Sequence, residues 1–228
     1  MTLNPSANAL IAPLPEQEFN YLSDKLERVF LYKGQVLFNA GEVAQNVYFP
    51  AGAIISMQHV MSDGRTTETH FFGATCMVGA AAVEQPSYYR AVVRTAGWAF
   101  RLATPLFLEA FKCCPSFQQR ISRALDEKMA QMAATSYCLR RHDPPKQLVR
   151  WLLRTYDRLL EPVIRMTPEE IANTMGLSLE SISTSLKVLV AVGALVCLDE
   201  AVGLLDRNKL EERVCECYQV DIRQRQKR

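Results

Sequence analysis

The chain lacks most of the features that announce an enzyme or a membrane protein. No apolar run approaches the roughly 20 residues needed to span a bilayer. The N-terminal residues lack a basic start followed by an apolar stretch and a cleavage site. No membrane partner and a cytoplasmic location are therefore expected. No nucleophile sits beside a base, no carboxylates pair, and no Gly-rich phosphate loop appears, so the expectation is a protein that is not an enzyme. The seven cysteines (Cys76, Cys113, Cys114, Cys138, Cys197, Cys215, Cys217) are odd in number and scattered. None shows the CxxC spacing of a structural zinc site, which predicts inert thiols, no metal and no cofactor. Redox activity at Cys113-Cys114 or Cys215-x-Cys217 is the alternative, with only Lys112 adjacent to favour a thiolate. Charge of one sign is scarce too: 26 Lys and Arg against 24 Asp and Glu give +2, so bulk electrostatics does not nominate a nucleic acid.

What is present is apolar material and order. At 228 residues with 49% hydrophobic side chains, the chain can bury real cores. Basic residues concentrate locally: residues 112–165 hold eleven Lys/Arg against five Asp/Glu, and the sequence closes on Arg223, Arg225, Lys227 and Arg228, all candidate phosphate contacts. Leu14 to Leu31 reads as an amphipathic helix, with Phe19, Leu22, Leu26 and Val29 at helical spacing. From Lys33 the texture changes to short β-branched and aromatic runs, among them Val47-Tyr-Phe49 and Ala91-Val-Val93. Turns such as Ala40-Gly41 and Asp63-Gly64 separate them, which predicts a small antiparallel β-barrel over about residues 30 to 103.

After Pro115 the pattern is helical to about Arg140 without Gly or Pro. Ile121, Leu125, Met129, Met132, Ser136 and Leu139 form an a/d-like seam, suited to pairing with a second copy of the helix. Packing of that stripe on its own barrel is the alternative. Asp143-Pro144-Pro145 ends the helix. A second helix follows from Lys146 to about Leu160, with Leu148, Trp151, Leu152, Tyr156 and Leu159 on one face. The expected domains are a sensor barrel with its leading helix at 1–112, a dimerisation helix at 113–142 and a DNA-binding domain at 143–228.

The segment 166–189 contains two helix starts. Thr167 caps the first, Pro168 occupies its first position, and Glu170 completes a Thr-x-x-Glu capping box. Gly176 turns the chain and Ser178 caps the second helix. Ile182, Leu186 and Leu189 face inward there, leaving Leu179, Glu180, Ser183, Thr184 and Lys187 outward. An exposed helix start bearing short hydrogen-bonding side chains suits the major groove, although a capped pair of this size is also compatible with a plain helical hairpin. Ala194–Leu198 and Gly203–Leu205, joined by a turn, read as a wing.

From about Leu14 to Leu210 the chain resembles the CRP/FNR family of bacterial transcription regulators. The resemblance rests on Gly34-Gln-Val-Leu-Phe38, Gly41-Glu42, Val47-Tyr-Phe-Pro50, Gly52-Ala-Ile-Ile-Ser56 and Met77-Val-Gly79. It rests above all on Thr167-x-x-Glu170-Ile-Ala-x-x-Met-Gly176-x-Ser178-x-Glu180-Ser-Ile182. It implies an α+β fold: a cyclic-nucleotide-binding-like jelly roll, a long dimerisation helix and a winged helix-turn-helix. It further implies a homodimer on duplex DNA whose effector reorients the DNA-binding domains, with RNA polymerase as a further partner. Residues carried over as DNA-binding are Thr167, Ser178, Leu179, Glu180, Ser181, Ser183, Thr184 and Lys187; those at the effector site are Gly79, Ala80, Arg90 and Ala91.

The departures from the family pattern matter as much. Ala80 stands where a ribose-binding Glu is expected, and Ala91 follows Arg90 where a hydroxyl residue is expected. Each loss costs about 1–3 kcal/mol of satisfied polarity, which predicts that cyclic AMP is not the effector. Arg90 is expected either to bind an anion or to pair with a carboxylate such as Glu68. The first 30 residues hold no cysteine for an iron–sulfur cluster, and His59, His70 and Cys76 form no haem-ligand motif, so neither cofactor is expected. Leu179 and Thr184 replace base-reading arginines, and each missing contact removes about 1–3 kcal/mol of discrimination. The expected function is a dimeric, sequence-specific transcription regulator of unknown effector. The alternative is a protein acting through protein partners with weak or no specific DNA binding.

Overall fold

The computed structural model describes residues 4–62, 66–159 and 161–226, and side chains through residue 222. The expected Asp63-Gly64 turn, the Leu160 helix end and the side chains of Arg223, Arg225, Lys227 and Arg228 lie outside the described residues. The chain forms two compact units, residues 1–126 and 127–228.

The first unit opens with α1, Glu16–Ser23. The expected helix does not continue to Leu31: Glu27–Leu31 is strand β1, paired antiparallel with Gly97–Arg101. Val29 and Phe30 favour the pleated conformation, and this long-range pairing overrides a periodicity that fitted a helix. Strands β2 (Val36–Phe38), β3 (Asn46–Pro50), β4 (Ile54–Val60), β5 (Thr66–Phe72), β6 (Arg90–Thr95) and β7 (Gly97–Ala103) follow. They form two antiparallel sheets, β1-β7-β3 and β2-β6-β4-β5, the expected β-barrel. Register shifts beside Val36, Ile54 and Met57 bend the second sheet, which lets it curl.

Leu31, Phe38, Tyr48, Ile55, Val78, Ala91, Val93 and Ala99 from both sheets form one apolar filling. On the other face of β3 and β7, Phe49 and Leu102 cluster with Leu22, with Phe107 of α2 (Thr104–Cys113) and with Phe117 and Ile121 of α3 (Pro115–Arg141). The expected Glu68 partner is corrected: Glu68 pairs with Arg94 at 3.0 Å, not with Arg90, and both side chains are nearly inaccessible. Arg94 lies on the same strand as Arg90, and its guanidinium also sits 4.2 Å from the Phe71 ring centre, a contact that charge pairing in sequence does not reveal.

In the second unit α3 ends at Arg141, and Asp143 caps α4, Pro144–Tyr156, accepting the Lys146 N–H. Both prolines fall in the first turn, where their missing N–H groups are not needed. Helix α4 stops at Tyr156, well before Pro162. Leu148, Trp151, Leu152 and Tyr156 are buried as expected, and so are Arg150 and Arg154. Both arginines pair with Asp221 of α8 (Tyr218–Gln226), at 3.0 and 3.2 Å. The basic surplus of residues 112–165 is therefore not one phosphate-binding patch. Arg150 and Arg154 are internal fasteners, and Arg120, in the first unit, donates to the backbone oxygens of Ala9 and Leu10.

A three-stranded sheet, β8-β10-β9, closes the unit: β8 is Val163–Ile164, β9 Leu195–Leu198 and β10 Ala201–Leu204. The β9–β10 ribbon is the expected wing; β8 is too short to leave a periodic signal. Helices α5 (Pro168–Met175) and α6 (Leu179–Ala191) are strung between β8 and β9, and α7 (Arg207–Glu211) precedes α8.

Candidate nucleic-acid interface

Local chemistry sets the helix pair. The Thr167 hydroxyl accepts the Glu170 N–H at 3.1 Å while the Glu170 carboxylate accepts the Thr167 N–H at 2.8 Å, a complete capping box. Gly176 adopts φ +67°, a left-handed conformation that a side chain would strain, and its N–H caps the last carbonyls of α5. Two residues later the Ser178 hydroxyl accepts the Ser181 N–H at 3.2 Å and starts α6. Ile182, Ser185, Leu186 and Leu189 are buried beneath it, and Ser185 donates to the Ser181 carbonyl.

The outward residues separate into groups. Ser178, Leu179 and Glu180 form an exposed helix start, with the free N–H groups of the first turn around them. Thr184 lies with Val188, Lys146 and Arg213 along one hollow beside α6. Ser183 and Lys187 line another, with Pro168, Val190 and Cys197 of the wing. Ser181 is half-buried, and Thr167 is engaged in its cap. Sequence reasoning missed Val188, 55% exposed, which a helical wheel places beside Thr184. The reading face thus carries one cation, one carboxylate, three hydroxyls and two apolar side chains, a surface for hydrogen bonding and methyl contact rather than for charge.

The seam residues of α3 divide as well. Leu125, Met129, Met132 and Leu139 are 40–69% exposed, and Ser136 lies exposed between them. Ile121 is only 2% exposed, held in the cluster around Phe117. The exposed members follow a 4-3-4-3 spacing along one face.

In the barrel, Gly79 has φ +104°, and a Cβ there would lie 2.7 Å from the Asn46 carbonyl oxygen, so this turn demands glycine. Ala80–Ala82 then form a short 3₁₀ turn. Ala91 is buried opposite Phe38 and Met57, in the same apolar filling as Val78 and Ala82. The two segments therefore border one interior, although no contact joins Gly79 or Ala80 to Arg90 or Ala91 among the described residues. Arg90 is half-buried, and its Nε is shielded from water without a hydrogen-bond partner.

The cysteines resolve into two kinds. Burial pushes the Cys114 thiol up to about 11, beside Cys113 at 3.8 Å, an environment for an inert thiol. Cys138, Cys215 and Cys217, far apart in sequence, converge with His142. The separation of 77 residues between Cys138 and Cys215 hides this from any local motif.

Comparison with known proteins adds two domain assignments. The cyclic nucleotide-binding domain family matches residues 28–112, and the Crp-like helix-turn-helix domain family matches residues 146–213. No curated protein sequence matches. Among solved structures, FixK2 of Bradyrhizobium japonicum superposes with a TM-score of 0.71 at 18% identity, over 83% of this chain and 98% of that one. A CRP-family transcriptional regulator of Thermus thermophilus gives 0.66 at 22%, over 82% and 95%. The c-di-GMP-responsive regulator CLP of Xanthomonas campestris gives 0.63 at 20%, over 83% and 99%. Among the described residues no helix is long and apolar enough to cross a membrane.

Proposed function

Because a cyclic nucleotide-binding domain precedes a Crp-like helix-turn-helix domain, the chain belongs to the CRP/FNR family of transcription regulators, and we propose that it works as a homodimer reading duplex DNA through α6. The observation that carries this reading is the exposed, doubly capped start of α6. Ser178, Leu179 and Glu180 stand free on a helix whose opposite face is locked into the domain core. Ser181, Ser183, Thr184 and Lys187 extend the contact, with Thr167 setting the angle of the preceding helix. The Glu180 carboxylate accepts from a cytosine amino group, and Leu179 or Thr184 meets a thymine methyl.

The α3 seam of Leu125, Met129, Met132 and Leu139 pairs with its copy, because an exposed apolar stripe at this spacing is stable only when covered. Such a dimer sets two α6 helices on successive major grooves, about 34 Å apart. The effector site is the barrel interior bordered by Gly79, Ala80, Arg90 and Ala91. Its methyl groups disfavour cyclic AMP, and the unpartnered Arg90 Nε favours an anionic group on the effector. Effector binding reorients the DNA-binding domains through α3, and bound dimers act on RNA polymerase.

A second reading, action through a protein partner with little base discrimination, is favoured by Leu179 (48% exposed) and Val188 on the same face. Selection of genomic fragments on the purified protein at physiological salt separates the two. A two-fold symmetric site is expected, its sequence preference relaxed by Glu180→Ala. Lys187→Ala is expected to weaken all sites alike and to reduce the slope of log K against log salt by about 0.9. Recovery of unrelated, salt-sensitive fragments alone defeats the specific-regulator reading.

A further inference from the structure

Four metal-ligating side chains meet inside the second unit. Cys138 and His142 lie at i and i+4 where α3 ends, and Cys215 and Cys217 lie between α7 and α8. Their ligating atoms all fall within 4.8 Å of one another. The Cys138 and Cys215 sulfurs are 3.6 Å apart, and the Cys217 sulfur is 3.7 Å from His142 Nδ1. A tetrahedral zinc ion with Zn–S near 2.3 Å and Zn–N near 2.0 Å places its ligand atoms about 3.5–3.8 Å apart. The sulfurs are therefore spaced like the edge of a coordination tetrahedron, well beyond the roughly 2.05 Å of a disulfide.

The surroundings match as well. All three cysteines are buried, and the His142 side chain is 10% exposed. His142 Nε2 lies 3.3 Å from the Glu216 carboxylate, which leaves Nδ1 to face the sulfurs. A carboxylate on the far nitrogen is the arrangement that fixes the tautomer and orientation of a metal-bound imidazole. The Gln147 side chain donates to the His142 carbonyl at 2.7 Å and holds that residue in place after the helix ends. Four donors from three stretches of chain, with the imidazole already oriented, exceed what inert packing of thiols requires.

We propose that Cys138, His142, Cys215 and Cys217 form a structural zinc site that ties the segment before α8 to the end of α3. Soft thiolate with imidazole in a closed tetrahedral set selects zinc and leaves no position open for catalysis. Binding releases the three thiol protons to solvent as the thiolates coordinate, and the site carries a net charge of −1. Its function is to close the chain from residue 138 to residue 217 around the helix-turn-helix, independently of which DNA that domain reads.

Untagged full-length protein, purified under reducing conditions without chelator, is expected to contain close to one zinc per chain by plasma mass spectrometry. Cobalt(II) substitution should give the visible bands of a tetrahedral thiolate site, and X-ray absorption a shell of three sulfurs and one nitrogen. The double variant Cys215→Ser/Cys217→Ser should lose the metal. Glu216→Gln keeps all four ligands and alters only an exposed side chain. It should stay folded by circular dichroism and lose zinc to a competing chelator at roughly 10–100-fold lower chelator concentration. If the double variant fails to fold, the Glu216→Gln competition and the wild-type metal content decide. Well under one zinc per chain with the four residues intact, stoichiometric iron in place of zinc, a Cys138–Cys215 disulfide in the purified protein, or unchanged chelator resistance in Glu216→Gln would each overturn the assignment.

Discussion

The two units handle charge differently. Residues 1–126 carry ten Lys/Arg and ten Asp/Glu, and residues 127–228 carry sixteen and fourteen, so neither balance is unusual. Between the barrel sheets, however, the filling is apolar, and the buried Glu68–Arg94 pair is local to neighbouring strands. The second unit instead threads ion pairs between helices. Arg150 and Arg154 of α4 meet Asp221 of α8, and Arg207 of α7 meets Asp157 at 2.9 Å and the Tyr218 hydroxyl at 2.7 Å. A vessel shaped by strand register and apolar volume keeps its form when polar positions such as Ala80 and Ala91 change. A domain fastened by charge depends on single residues far along the chain.

The largest effect expected from this contrast is at Asp221. Asp221→Ala leaves two buried guanidiniums without their carboxylate and should destabilise the second unit by about 3–5 kcal/mol or more. In calorimetry the transition of residues 127–228 should drop while that of the barrel holds; a uniform drop would break the comparison. Arg94→Ala, which strands a single carboxylate in the barrel, should cost about 3 kcal/mol and lower the barrel transition alone. The smallest effect is at the surface. The Glu42 carboxylate accepts the Asn39 N–H at 2.7 Å and its side-chain amide at 3.1 Å, which holds its pKa below the ordinary carboxylate value. Its contribution is therefore present above the unfolded-state pKa and fades as pH falls through the lower folded value. Comparing melting against pH for wild type and Glu42→Gln should show a slightly shallower acid slope in the variant.

Legibility in sequence followed the range of the interactions. The capping box at Thr167 and Glu170, the Gly176 turn and the Ser178 cap act within a few residues, and the structure reproduces each one. The α3 helix and the barrel were legible because their patterns persist over many residues. Leu14–Leu31 misled because Leu22 does obey a helical period, while Glu27–Leu31 is claimed by a partner strand seventy residues away. The choice of Arg94 over Arg90 for Glu68, the inward turn of Arg150 and Arg154, and the meeting of Cys138 with Cys215 all depend on the finished fold. Residue types at those positions announce chemistry without naming the partner.

Strand pairing of Ile164 with Val202 joins the two ends of the segment that holds α5 and α6, and the Tyr156 hydroxyl donates to the Val202 carbonyl behind it. The helix pair is thus a closed cassette, anchored at its base and free at its tip. Mutations at Leu179, Thr184 or Lys187 alter no anchor, cap or buried contact. Binding preference in this lineage can therefore drift across operators without a stability toll, and regulatory rewiring becomes an evolutionarily cheap step.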